Sequence, residues 1–259
     1  MSSRPIGYFK PGNSWLHRRH PVTKLLGLIA IAITAFVQPA WALPLPALVL
    51  VVIALSSRLG LQTMRSLRLP ALLFGSILLV NAFFFPGPVE RIFSFGPVGL
   101  SWAGIVFGVV SAARIAIVFV ASILFLFTTL PDDLLEALVD KGASHRLAFV
   151  VLSAIQLVPR LQGRAAAILD AQQARGLAVA GSFATRVRAL VPLIGPIVLG
   201  SLIDVRERTL ALEARGFGAR RDRTAYRVVA DPPHERWLRL AIVIALLLLV
   251  AGVAAGVVR

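Results

Sequence analysis

No cysteine occurs in the 259 residues, which rules out a disulfide framework and any metal site built on thiolates. Charge is also scarce. Only 15% of residues are charged and 58% are hydrophobic, with a mean hydropathy of +0.83, whereas a soluble domain carries about a quarter charged residues. A chain of this composition belongs in a bilayer. The scarcest charge is negative: 12 Asp and Glu stand against 27 Lys and Arg, for a net charge of +15. In a soluble protein that excess would point to nucleic acid. Here the aromatics lie inside apolar runs and do not alternate with basic residues as a stacking platform would, so no nucleic-acid partner is expected. The excess fits the positive-inside bias of a multi-pass membrane protein facing an anionic leaflet.

Motifs of catalysis are missing too. No Gly-x-x-x-x-Gly-Lys-Ser/Thr loop is present to cradle ATP, and neither His-Glu-x-x-His nor Gly-x-Ser-x-Gly occurs. The four histidines, His17, His20, His145 and His234, lie in basic surroundings. Although His234 adjoins Glu235, no catalytic residue, metal ligand set or cofactor is expected. His17 and His20 read as surface residues at the headgroup level, with Trp15 as an interfacial anchor.

What the chain does contain is apolar runs separated by basic segments, which predict an all-α, polytopic membrane bundle of about five transmembrane helices with a cytoplasmic domain of long helices. Residues 1–24 are basic, with Arg4, Lys10, Arg18, Arg19 and Lys24 and no acid. This stretch is too long and proline-rich for a signal peptide, and reads as a cytoplasmic arm. Residues 25–127 hold four spans. Leu25–Val37 and Trp41–Leu55 are each short for a bilayer of about 30 Å and are separated by a proline break at Gln38-Pro39-Ala40. Leu69–Phe85 ends in an aromatic cluster of the kind found at membrane interfaces, and leads into an external loop without net charge. Ser101–Phe127 is broken only by Arg114, which must pair, snorkel or face a polar cavity, because an arginine at that depth costs at least about 2.5 kcal/mol. It can anchor the helix to a carbonyl or carboxylate in the bundle, or touch a partner. Gly104 and Gly108 offer a small-residue face for close helix packing.

Residues 128–236 change character. Thr129 is placed to cap a helix starting at Pro131, with Asp132 and Asp133 at the positive end of its dipole. Ser144–Arg175 carries apolar residues at helical spacing, with Arg146, Arg160 and Arg164 off that stripe. Ala184–Glu213 is a second long helix. Its section Val191–Ile203 contains Pro192 and Pro196 and is too short to cross a bilayer, so a buried, kinked helix at the cytoplasmic face is expected. Arg220–Arg239 reads as a basic linker, and residues 237–259 supply the last span.

One tripeptide occurs twice in the cytoplasmic segment, Ala174-Arg175-Gly176 and Ala214-Arg215-Gly216, with the arginines 40 residues apart. Each glycine sits just past the last periodic residue, where it can close a helix in the left-handed conformation. Each arginine then lies on the last turn, beside the negative end of the dipole. Helix capping alone accounts for one such tripeptide. Two copies on one side of a membrane suggest a pair of docking points, since an arginine fork suits a carboxylate on another protein.

Gly7-Tyr8, Pro11-Gly12-x-Ser14-x-Leu16-His17, Pro21-x-Thr23-Lys24-Leu25-Leu26, Pro131-Asp132-Asp133-Leu134 and the two Ala-Arg-Gly copies together resemble the transmembrane T component of energy-coupling factor (ECF) transporters over nearly the whole chain. That resemblance implies a non-catalytic membrane scaffold joining two ABC ATPase subunits to a small substrate-binding S component that takes up vitamins or transition-metal ions. It implies that Arg175 and Arg215 each enter a groove of one ATPase, and that the apolar faces of the two helices hold the S component. Two other readings of the residues stand beside it: a conventional ABC permease that itself forms the substrate path, and a basic membrane scaffold with no transport role.

Overall fold

The structure is a computed structural model and describes residues 9–85, 91–95, 98–177, 182–217 and 229–256; the side chains of 91–98 and 183–190 are outside that description. The amino-terminal Gly7-Tyr8 and residues 220–228 of the expected linker therefore lie outside the described residues. Helix dominates, in keeping with an all-α membrane protein. The chain divides into two compact units, Met1–Lys141 with Val229–Arg259, and Gly142–Val228.

The first unit is the apolar bundle. After a single turn, α1 (Trp15–Arg18), come α2 (Pro21–Val37), a 3-10 turn at Ala40–Ala42 and α3 (Pro44–Ser56). Helices α2 and α3 both begin on a proline, whose fixed φ suits a first turn and whose missing N–H would have had no partner there. Then follow α4 (Gly60–Ser66) and α5 (Ala71–Phe84), bent by 58° from one another. The stretch expected to be an external loop contains an antiparallel hairpin, β1 (Arg91–Phe95) and β2 (Val98–Ser101), pairing Phe93 with Leu100 and Phe95 with Val98. Next are α6 (Trp102–Thr128), α7 (Pro131–Asp140) and, closing the unit, α10 (Pro233–Ala254).

Among the described residues, α6 and α10 are long and apolar enough to cross a membrane, and the bent α4–α5 pair passes the same test as one span. Two further apolar helices, α2 and the Ala40–Ser56 segment, are shorter. Of the five expected spans, two are thus met by single helices and a third by the bent pair, while the other two correspond to shorter apolar segments.

Helix α6 is the centre of this unit. Its Ile117, Ala121, Ile123, Leu124 and Phe127 form one buried cluster with Ala35 of α2 and Leu50 and Ala54 of α3. On its amino-terminal half it meets α5 through glycine: a Cβ on Gly104 would lie 2.4 Å from Asn81 O, and one on Gly108 would lie 3.1 Å from Leu78 O. The absence of side chains is what lets the two backbones approach. Ser101 caps α6 by accepting from Gly104 N–H at 3.0 Å. Arg114 resolves to the carbonyl alternative: its Nη2 donates to Gln38 O at 2.9 Å, tying mid-α6 to the carboxyl end of α2.

Three expectations are corrected in this unit. The cap of α7 is Leu130, with no side-chain hydrogen bond, while Thr129 ends α6; the two-residue gap leaves Thr129 one position too early to cap. His20 is buried, not at the surface, because it caps α2: its Nδ1 accepts from Val22 N–H. Helix α10 begins at Pro233, well inside the supposed linker, since the charges that disguised it are paired, Glu235 with Arg19 and Arg239 with Asp231.

The second unit holds two long helices, α8 (His145–Ala174) and α9 (Phe183–Ala214). Three contacts set their antiparallel course: the Phe149 and Phe217 rings lie 4.8 Å apart, Arg164 Nη2 reaches Asp204 Oδ2 at 2.7 Å, and Arg164 also covers Gly200. Pro192 and Pro196 lie inside α9 without ending it. The section 191–203 is not buried within this chain: Leu193 is covered, while Val191, Ile194, Val198, Leu199, Leu202 and Ile203 are exposed.

Candidate functional site

The two Ala-Arg-Gly tripeptides fold into the same structure. At the end of α8, Gly176 N–H donates to Gln173 O at 2.9 Å and Leu177 N–H to Gln172 O at 3.0 Å. At the end of α9, Gly216 N–H donates to Glu213 O and Phe217 N–H to Leu212 O, both at 2.9 Å. This paired reverse bonding is the Schellman closure, and it needs a left-handed residue at its first non-helical position. Gly176 (φ 92°) and Gly216 (φ 71°) supply it. Alanine precedes each arginine as the last helical residue, so Arg175 and Arg215 occupy the same step of the same cap.

Both arginines are exposed, and the residues around them, 171–177 and 211–217, share one pattern of exposure. Among the described residues neither guanidinium has a hydrogen-bond or ion-pair partner. Arg164 differs: it is engaged with Asp204, and that contact holds the Asp204 carboxyl below its ordinary range and the Arg164 guanidinium above its own. The motif arginines are therefore presented outward by a rigid cap. The antiparallel course places them at opposite ends of the helix pair. Arg164 lies level with Gly200 and Asp204, so Arg175 lies level with about residue 191; Arg215 is then about 24 residues further along α9, on the order of 35 Å at 1.5 Å per residue.

Between these ends the helices expose apolar side chains, Leu147, Val150 and Val158 on α8 and Val198, Leu199 and Leu202 on α9. In a soluble protein such a surface would be a liability; in a membrane assembly it is contact area.

A second charged constellation lies where the chain passes between its units. Asp231, shortly after the return from the second unit, accepts from Lys141, the last residue before the departure, and from Arg239 Nη2 at 2.8 and 2.9 Å. Burial acts to raise the Asp231 pKa, but the bonds from Lys141 and Arg239 prevail and bring it down to about 2. His20 adjoins this clasp, its Nδ1 3.3 Å from Arg239 Nη1. Since an arginine and a backbone N–H can only donate, that nitrogen is an acceptor and the ring is neutral; burial, opposed by Asp231 and assisted by Arg239 and Lys141, lowers its pKa. Arg19 reaches Glu235, whose side chain is only 2% exposed, at 3.1 Å. The amino-terminal arm is thus pinned to the bundle. Lys10 N–H and Lys24 Nζ satisfy the terminal carbonyls of α6, Phe127 O at 3.1 Å and Thr128 O at 2.7 Å, groups that a helix end leaves unpaired.

The sequence singles out the motif arginines by their repetition and carries no sign of the clasp. Pairs separated by 90 residues, such as Lys141 and Asp231, leave no local trace.

Comparison with known proteins agrees with this architecture. The profile of the family described as CbiQ, cobalt transport protein, matches residues 12–226. The chain is 29% identical to the energy-coupling factor transporter transmembrane protein EcfT of Thermosediminibacter oceani, covering 86% of this chain and 88% of that one. To the EcfT protein of Listeria innocua it is 27% identical, over 88% and 90% of the two chains. It is also 29% identical to a putative ABC transporter ATP-binding protein of Bifidobacterium longum, over 93% of this chain but 32% of the longer protein. With a match across both of its units, the chain belongs to the CbiQ family of transport membrane proteins.

Proposed function

We propose that this chain is the membrane scaffold of an ECF-type importer, joining two ABC ATPase subunits to an S component that takes up a vitamin or metal ion. It performs no catalysis itself. The observation that carries the proposal is the pair of identical caps presenting Arg175 and Arg215 without a partner at the two ends of one helix hairpin. Each guanidinium offers a planar fork of donors matched to a carboxylate. Ends on the order of 35 Å apart suit two separate subunits, one per arginine. Ala174, Gly176, Ala214 and Gly216 serve as the rigid frame of these docking points.

In this reading residues 128–236 form the cytoplasmic coupling domain, and residues 1–24 lie on the same side, as the excess of basic residues favours. When the ATPases close on ATP, their grooves approach, and the gripped helix ends follow. Antiparallel helices respond as rigid elements, changing the apolar surface that Leu147, Val150, Val198 and Leu202 offer to the S component. The longer Bifidobacterium relative, named for ATP binding, supports an intimate association with an ATPase.

Co-purification tests this. Arg175→Ala or Arg215→Ala is expected to weaken retention of ATPase subunits, and the double variant to lose both subunits and uptake while still inserting in the membrane. A double variant that keeps full complements of both ATPases and unaltered transport would overturn the proposal. Solute binding by the purified chain alone would instead make it a conventional permease.

A further inference from the structure

Helix α3 ends in the same closure as α8 and α9, with one difference. Arg58 N–H donates to Leu55 O and Leu59 N–H to Ala54 O, both at 3.0 Å, so the left-handed position is occupied by Arg58, with φ 58°. Glycine holds that position at 176 and 216. An arginine there sets its Cβ against the following carbonyl, so the backbone alone favours glycine at 58. What arginine adds is its side chain, and strain kept at one position is a reason to look for function.

That side chain is exposed and has no hydrogen-bond or ion-pair partner among the described residues. It borders a cleft of about 510 Å³ lined also by Lys10, Asn13, Ser57 and Gln62, with no carboxylate in the lining. Lys10 Nζ sits 4.2 Å above the Phe127 ring and meets no anion. His17 completes the wall but has both ring nitrogens engaged, Nε2 with Lys10 O at 3.0 Å and Nδ1 with Ser14 Oγ at 2.7 Å. The cleft therefore holds two cations with no carboxylate in its lining. An anion completes it.

Its position narrows the class of anion. The cleft lies at the ends of the apolar helices α3 and α6, where Trp15, half-exposed, donates its indole N–H to Ser56 Oγ at 3.1 Å, as an interfacial tryptophan does. Beside it Leu55, Leu61 and Met64 are 67%, 65% and 69% exposed. Anion-binding groups next to an exposed apolar strip fit an amphiphile better than a free ion. We propose that this cleft binds the headgroup of an anionic phospholipid, with Arg58 and Lys10 at the phosphate and Leu55, Leu61 and Met64 against the acyl chains.

Native mass spectrometry of the full chain, offered phosphatidylglycerol or phosphatidylcholine, reads this directly. Wild type is expected to retain the anionic lipid preferentially, and Arg58→Gly and Lys10→Gln to lower that preference roughly fivefold each, as for other cations at a membrane surface. Arg58→Lys keeps most of it. Because glycine suits the left-handed position, Arg58→Gly is expected to unfold at the same or a higher temperature. An unchanged preference in the Arg58→Gly, Lys10→Gln double variant would overturn the proposal. So would displacement of the lipid by inorganic phosphate, which would make this a free-anion site, or loss of ATPase subunits at unchanged lipid preference, which would assign the cleft to a protein. A lowered unfolding temperature for Arg58→Gly would make the arginine structural and count equally against it.

Discussion

An arginine on the last turn of a helix is common; an arginine held there with no partner, by a cap that fixes its backbone, is a presented group. The distinction between Arg175 and Arg164 rests on this. Arg164 is occupied by Asp204, whereas Arg175 and Arg215 have no partner among the described residues. The glycines after them are as necessary as the charges. At φ 92° in Gly176, an alanine costs about 1–2 kcal/mol through contact of its Cβ with the following carbonyl. Gly176→Ala is therefore expected to fray the end of α8 and weaken ATPase retention with the arginine still present, detectable as faster amide exchange at 174–177 alongside the pulldown. Arg175→Lys keeps the charge and loses the fork, so its retention should fall between wild type and Arg175→Ala.

At the scale of elements, the contact between α5 and α6 depends on two hydrogen atoms in place of side chains. A Cβ on Gly108 would come within 3.2 Å of Asn81 Cβ as well as 3.1 Å of Leu78 O, and overpacking of that kind costs about 1–3 kcal/mol. Gly108→Val should lower the unfolding temperature in detergent accordingly, while Gly75→Ala, where nothing lies within 4 Å of an added Cβ, should not. This contact was legible in the sequence, since glycines at i and i+4 in an apolar run have few other uses. So were the helix ends at Gly176 and Gly216 and the extents of α8 and α9, each fixed by local periodicity. The hairpin at 91–101 was not, because a short stretch between prolines and glycines carries no strong alternation, and neither was the docked amino-terminal arm. Lys10 contributes there through its backbone N–H, to which its side chain gives no clue. Arg220–Arg239 misled for a different reason: charge reads as a linker until its partners are known, and Glu235 is neutralised by Arg19 at the other end of the chain while Arg239 is neutralised by Asp231 within the same stretch.

At the scale of the molecule, the two segments of the first unit that flank residues 142–228 are joined by the Lys141–Asp231 ion pair. Its acid dependence follows from the pKa of Asp231, about 2 against an ordinary 3.8: a depressed carboxylate contributes stability above pH 3.8, about 2 kcal/mol, that is lost as pH falls towards 2. His20 acts in the same direction from a higher pH. Its folded pKa lies below the usual 6.5, so its neutral form favours the folded state above that value and its protonation disfavours it below. Unfolding temperature should therefore decline from pH 6.5 downward and more steeply below pH 4, and Asp231→Asn should reduce the steep part, leaving what Glu235 and Asp204 contribute, and lower stability at neutral pH. The central claim, that ATPases grip the two Arg-bearing ends, is open to a test that the lack of cysteine makes clean. Single thiols introduced as Ala174→Cys, Ala214→Cys or, as a control in mid-α8, Ala166→Cys, are treated with a short bifunctional reagent in the assembled transporter. Adducts with an ATPase subunit from positions 174 and 214 and none from 166 are the predicted result; adducts from 166 alone, or none from either motif, would contradict the account.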